Sequence, residues 1–232
     1  MKLILFLIII LVIVAIIAII LNSPGPTIPN TTSSSKLIYS YGLFSDKPMN
    51  KMMLKTVQEN FEKTGLDFEI LGYEEVKADM AELDIPDLPD LYEKIPRGVS
   101  KADLARMIHI YARGGHYTDL DVLFEEKPVM SETHVVLYTE NLDPFRRTAN
   151  YAFSAPPKHP FIKAAIEEIA ENIRRAPEKW TDDDVLRITG PGALTKIYRS
   201  RKWDDVVLIG LIRSRRILKH QAEGSWRDGK DL

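Results

Sequence analysis

The apolar positions of this chain change character at residue 36. Before it, Leu3 to Leu21 is an unbroken run of nineteen apolar residues behind Lys2. At 1.5 Å per helical residue such a run spans the roughly 30 Å hydrocarbon layer, and it exceeds the apolar region of a signal peptide, about 7–15 residues. Residues 1–21 are therefore expected to be an uncleaved membrane anchor. Lys2 is the only charge before the run and Lys36 the first after it, which favours a cytosolic N-terminus and a lumenal or external domain. Residues 22–35, NSPGPTIPNTTSSS, have no apolar period and the composition of a flexible stalk. Asn30-Thr31-Thr32 within it is a glycosylation acceptor if it faces a lumen.

From Lys36 onward the pattern alternates between strand and helix periods. Lys36 to Tyr41 predicts a first strand. Lys51 to Lys63 predicts a helix packed through Met53, Leu54, Val57 and Phe61 and ended by Gly65, and Phe68 to Leu71 a second strand. Asp79 to Pro96, with Pro86, Pro89 and Pro96, predicts short helix and loop. The next helix carries Leu104, Met107, Ile108 and Tyr111 at i, i+3, i+4 and i+7, with Ser100 as N-cap, Asp103 completing a capping box or simply favouring the positive helix end, and Gly114-Gly115 as terminator. His116 to Thr118 is extended, and Asp119-Leu120-Asp121 leads into Val122-Leu123-Phe124, stopped by Pro128. Further strands are expected at His134–Tyr138 and Asn150–Ser154. Phe161 to Ile173 is an amphipathic helix, with Glu167, Glu168 and Glu171 on its wet side. Trp180 to Val185 opens another helix, with acids at its positive end, and Thr189-Gly190-Pro191 is a turn before a helix. Residues 36–232 thus form one α/β domain.

Charge and cysteine narrow the function classes. The net charge is −2, from 31 basic and 33 acidic residues, so no global field attracts nucleic acid. Cysteine is absent, which excludes disulfides, zinc–thiolate sites and a cysteine nucleophile. Arg213, Arg215, Arg216 and Lys219 form a basic cluster near the C-terminus, a solvated face or a contact for anionic lipid headgroups.

The chemistry is concentrated in Ser100 to Pro128. Asp119 and Asp121, read by themselves, are solvated turn residues; on extended backbone, two carboxylates at i and i+2 project to one side and repel each other unless a cation or donors sit between them. A hard divalent ion carrying a phosphate meets that need. Asp103 and Arg106, one turn apart on the helix, read by themselves as a surface ion pair. Asn150, read by itself, is a turn asparagine satisfying local backbone.

In order and spacing, Asp103-Leu104-Ala105-Arg106, Tyr111-Ala112-Arg113-Gly114-Gly115-His116-Tyr117 and Asp119-Leu120-Asp121 resemble the signature of the DXD-containing sugar transferases, glycosyltransferase family 32. That family includes mannosyltransferases and is similar in its core to the glucosylating bacterial toxins. The resemblance implies a GT-A type fold, a Rossmann-like mixed sheet flanked by helices that binds a nucleotide sugar. It implies transfer of a hexose from a GDP- or UDP-sugar to a glycan or glycolipid, with manganese or magnesium and with retention. Asp119 and Asp121 would hold the metal, and Asp103 and Arg106 would contact the ribose or donor sugar. Asn150 would contact donor or acceptor. His220, Ser225 and Trp226, at the family's H-x-x-x-x-S-W spacing, would serve the metal and the diphosphate. The family's usual ending of the first strand is absent here, where Tyr39-Ser40-Tyr41-Gly42 stand. A single-pass type II protein of the Golgi or another endomembrane is the expected setting. Two alternatives are a membrane-tethered carbohydrate-binding protein with a degenerate transferase fold and a D-x-D phosphatase. The phosphatases place that motif after an apolar strand near the start of their domain.

Overall fold

The computed structural model describes residues 36–40, 49–141 and 147–221. The expected anchor, the stalk, Tyr41, Ser225 and Trp226 lie outside the described residues. Among those described, no helix is long and apolar enough to cross a membrane.

A six-stranded mixed sheet organises the domain, in the order β2-β1-β3-β6-β5-β7. Its strands are β1 (Leu37–Ser40), β2 (Phe68–Leu71), β3 (Gly115–Thr118), β5 (Val135–Thr139), β6 (Thr148–Ala155) and β7 (Val206–Ile209). β1 runs parallel to β2 and β3, β5 runs parallel to β7, and β6 is antiparallel to both its neighbours. Two short strands, β4 (Val122–Phe124) and β8 (Leu218–His220), form a separate antiparallel ribbon. Side chains alternate across the sheet, so both faces are apolar and both are covered. Ile38, Tyr117, Leu137 and Phe153 point into one core and Leu37, Tyr39, Val136 and Tyr138 into the other.

The helices are α1 (Lys51–Thr64), α2 (Tyr73–Met80), α3 (Leu88–Lys94), α4 (Gly98–Arg113), α5 (Pro160–Arg174), α6 (Asp182–Ile188), α7 (Pro191–Ser200) and α8 (Leu211–Ile217). α4 is the central one. Leu104, Met107 and Ile108 are buried as the pattern predicted, but so are Ala105, Arg106, His109 and Ile110, because helices pack around it on several sides. Its start also differs from expectation. The helical ladder begins at the Arg97 carbonyl, which accepts from Ser100 and Lys101 N–H at 3.1 Å each. Ser100 therefore lies inside the first turn, and Asp103 completes no capping box. The end is as expected. Gly114 and Gly115 take φ of 70° and 111°, and a Cβ at Gly114 would stand 2.7 Å from Pro157 Cδ. Glycine thus permits the direct turn from α4 into β3.

α1 is capped as its sequence suggests, by the Asn50 side chain on Met53 N–H and by Gly65 at φ 64°. Its buried face is rotated from the expected one. Leu54 and Phe61 are exposed, whereas Thr56, Val57, Asn60 and Thr64 face inward. Asn60 explains the rotation. Its amide donates to Tyr39 Oη (2.9 Å) and the Val122 carbonyl (2.8 Å) and accepts from Phe124 N–H (2.9 Å). A buried amide so fully satisfied ties α1 to β4.

Candidate active site

β3 ends at Thr118 and the chain leaves the sheet there to build the ribbon. The Asp119 N–H donates to the Tyr151 carbonyl on β6 (2.8 Å), and the Val122 N–H donates to the Asp119 carbonyl (3.1 Å). Asp119 to Val122 is therefore a turn, not the expected extended segment. The turn still brings the carboxylates together. β8 pairs with β4 so that His220 lies opposite Val122, and the Gln221 N–H donates to the Asp121 carbonyl (2.9 Å). In this way a residue far along the chain reaches the aspartates. One ligand atom each from Asp119, Asp121 and His220 fall within 4.8 Å of one another, and His220 Nε2 is 3.3 Å from Asp121 Oδ2.

A buried polar layer supports this cluster. The Asp103 and Arg106 side chains are each only 4% exposed, so the surface ion pair is replaced by an interior one. Arg106 Nη2 lies 3.1 Å from Asp103 Oδ1 and Nη1 3.2 Å from Asp119 Oδ1. Nη1 also donates to the Asn150 carbonyl (2.8 Å), and Nε donates to the Ala102 carbonyl (3.2 Å). Asp103 is held further by Asn150 Nδ2 (2.9 Å) and Thr189 Oγ1 (3.0 Å). Asn150 is thus a buried strand residue of β6, not a turn residue. Tyr117 Oη donates to Asp119 Oδ1 at 2.7 Å, with Ser40 Oγ 2.8 Å from the same hydroxyl, and the Arg106 guanidinium lies 4.5 Å over the Tyr117 ring. Asp119 Oδ1 is therefore engaged on the protein side, whereas Oδ2 takes no hydrogen bond from the described residues.

The electrostatics follow from this crowding. Burial pushes the Asp103 pKa up to about 6, against the pull of Arg106, so it is ionised at neutral pH. Burial also raises the Asp119 pKa, opposed by Arg106 and reinforced by Asp121. For His220, burial acts downward but the Asp121 carboxylate outweighs it, and the net direction is up. Among the described residues, Asp103 and Asp119 pair with Arg106 and Asp121 pairs with His220, whose pKa the carboxylates raise. Hard oxygen and imidazole donors at the turn suit a divalent cation.

Of the residues singled out from sequence, Asp103, Arg106, Asp119, Asp121, Asn150 and His220 meet in one connected cluster. Thr189, Tyr151 and Ser40 join it without having been assigned a role. Only Thr189 was signalled, by its place in the T-G-P turn. The basic cluster is partly neutralised, since Arg213 pairs with Glu126 (2.9 Å) and Lys219 with Glu125 (2.9 Å).

A mixed sheet covered by helices on both faces, with an acidic turn at the end of its third strand, is the arrangement of glycosyltransferase domains. The comparisons agree. The family described as "Glycosyltransferase sugar-binding region containing DXD motif" matches residues 39–135. The chain is 25% identical over 143 residues to the "Initiation-specific alpha-1,6-mannosyltransferase" of Candida albicans. That match covers 48% of this chain and 37% of the length of the curated relative. Among solved structures, "PaToxG Glycosyltransferase" superposes with a TM-score of 0.58 at 15% identity, over 77% of this chain and 71% of that one. The UDP-bound glycosyltransferase domain from the YGT toxin gives 0.51 at 11% identity, over 72% and 55%. The chain thus has the fold of glycosyltransferase domains, and its central segment resembles the DXD family. Its aspartates follow the third strand of the domain, unlike the phosphatase arrangement.

Proposed function

We propose that this protein is a metal-dependent hexosyltransferase. It would move a hexose from a GDP- or UDP-sugar to a glycan or glycolipid acceptor, with retention of configuration as the family resemblance implies. The observation that carries the reading is the convergence of Asp119, Asp121 and His220 within a domain whose central segment matches the DXD family. These three residues would hold Mn2+ or Mg2+, which when bound supplies positive charge to the departing diphosphate. The chain's own residues do the rest. Arg106 and Tyr117 occupy Asp119 Oδ1 and so direct Oδ2 outward. Asn150 and Thr189 hold Asp103, which in turn fixes Arg106. Asp103, Arg106 and Asn150 would orient the ribose or donor sugar, while Ser225 and the Trp226 indole would donate to the diphosphate. Donors placed where charge develops are the largest source of rate enhancement in such transfers. The setting we infer is a type II protein, anchored by residues 3–21 and extended on the stalk 22–35, with the domain 36–232 in a Golgi or other endomembrane lumen.

Hydrolysis of a panel of UDP- and GDP-hexoses tests this reading. The full chain is expected to release sugar from at least one donor with manganese or magnesium, and to stop on chelation or in Asp121→Ala. Hydrolysis indifferent to both treatments overturns it.

A further inference from the structure

Tyr151 touches the candidate metal site twice, through different parts of the residue. Its backbone carbonyl receives the Asp119 N–H at 2.8 Å. Its ring stacks on the His220 imidazole, with centroids 4.0 Å apart and planes inclined by 26°. The ring is buried, with the residue only 8% exposed, and β6 is paired on both sides, to β3 and β5. It is a fixed wall. His220 is the opposite case. It is the last residue of a three-residue strand, its side chain is 27% exposed, and its polar contact is Asp121 at 3.3 Å. Two side-chain torsions must be frozen to present Nε2 to the aspartates, and strand pairing fixes neither.

We propose that Tyr151 is the positioning residue for His220. Its ring holds the imidazole plane so that Nε2 faces Asp121, while its carbonyl holds the backbone of Asp119. This rests on His220 serving as a metal ligand, as proposed above. Outer partners that orient a ligating histidine are a large part of metal affinity. The stacking surface is the active feature and the phenolic hydroxyl is dispensable. Phenylalanine should therefore replace tyrosine fully, and an aliphatic side chain of similar size should not.

Manganese titration of the full 232-residue chain, read by the electron paramagnetic resonance of free Mn2+, tests this without donor, acceptor or turnover. Tyr151→Phe is expected to bind within about twofold of the original chain. Tyr151→Leu and His220→Ala should each weaken binding by about tenfold or more, the usual cost of losing an orienting partner. The double variant should bind no more weakly than His220→Ala alone, because the ring acts only through the imidazole. Tyr151→Met, longer and more adaptable than leucine, takes the place of Tyr151→Leu if the latter does not fold. An aliphatic variant with unchanged affinity, or a ring effect that persists in full without His220, overturns the proposal alone. Absence of manganese binding by the unaltered chain overturns it together with the metal reading.

Discussion

The two ends of α4 carry similar residues and do different things. At its N-terminal end Asp103 and Arg106 meet Asp119, Asp121 and His220. Toward its C-terminal end His109 and Arg113 meet Asp79, Glu69 and Glu82. Of this second group, His109, Arg113, Asp79 and Glu69 line a cavity of about 380 Å³ with Lys36, Glu75, Gly114 and Gly115. This cavity lies at the start of β1 and β3, and its lining includes none of Asp103, Asp119, Asp121 and His220. Its charges are matched. Asp79 accepts from His109 Nδ1 at 2.7 Å and from Arg113 at 2.7–2.8 Å, and Glu82 takes Arg113 and Lys158. At the other end Asp103, Asp119 and Asp121 crowd around Arg106 and His220, and Asp119 Oδ2 takes no hydrogen bond from the described residues. Like charge gathered at a turn and held in place by a buried layer marks the site better than a cavity does.

That contrast makes the largest prediction a split between activity and stability. Asp121→Ala should lower turnover by about a thousandfold or more, since roughly 4 kcal/mol of charge stabilisation goes with it. It should leave thermal stability unchanged or slightly raised, because a repulsion is relieved. Substrate hydrolysis and a melting curve on the same sample check both halves, and a melting point that collapses along with turnover breaks the contrast. Next comes Arg106→Met, which strands Asp103 in the interior. A loss of about 3–5 kcal/mol is expected in urea unfolding, with turnover lost as well.

His116 gives a pH-dependent test within the strand that delivers Asp119. It is fully buried, edge-on to Phe124 and Tyr138, and neither ring nitrogen has a hydrogen-bond partner among the described residues. Burial pushes its pKa down from 6.5 to about 3. The folded state therefore excludes the protonated form. This contribution is fully present above pH 6.5 and is lost as pH falls toward 3, by about 3 kcal/mol on reaching about pH 4.5. His116→Phe should flatten this acid limb in urea midpoints measured across that range. A limb of unchanged steepness would show that other groups carry it.

The balanced end should answer in the opposite sense to Asp121. Asp79→Asn removes the charge that holds His109 and Arg113, and should cost about 1–3 kcal/mol of stability while turnover per folded molecule is kept. Arg113→Ala, at a side chain 53% exposed, should cost less, about 1 kcal/mol or under. Loss of turnover in either variant without loss of fold would move the functional site to this end.

How far the site could be read in advance depended on which interactions carry a period. Leu104, Met107 and Ile108 declared α4, Gly114-Gly115 declared its end, and Phe161 to Ile173 declared α5, because apolar burial repeats with the helix. Thr56, Asn60 and Thr64 did not declare the inner face of α1. Asn60 is held inward by hydrogen bonds to Tyr39 and β4, and Thr64 donates to the Asn60 carbonyl, while the more apolar Leu54 and Phe61 misled. The aspartates were visible as a motif, but local sequence did not decide between an extended segment and a turn at Asp119–Val122, since the turn arises where the ribbon departs from the sheet. Thr189 was marked by its turn, whereas Tyr151 acts across a long separation and leaves no local trace. His220 was visible only by its spacing to Ser225 and Trp226.

The central claim is that Asp119 and Asp121 recruit a metal to the diphosphate of the donor. Titration of GDP and UDP into the full chain by calorimetry, with manganese and then with chelator, tests it most directly. One nucleotide is expected to bind at least about tenfold more tightly with manganese, and Asp121→Asn to abolish that gain, as loss of a metal ligand requires. Equal affinity with manganese and with chelator, or a manganese gain that survives Asp121→Asn, would contradict it.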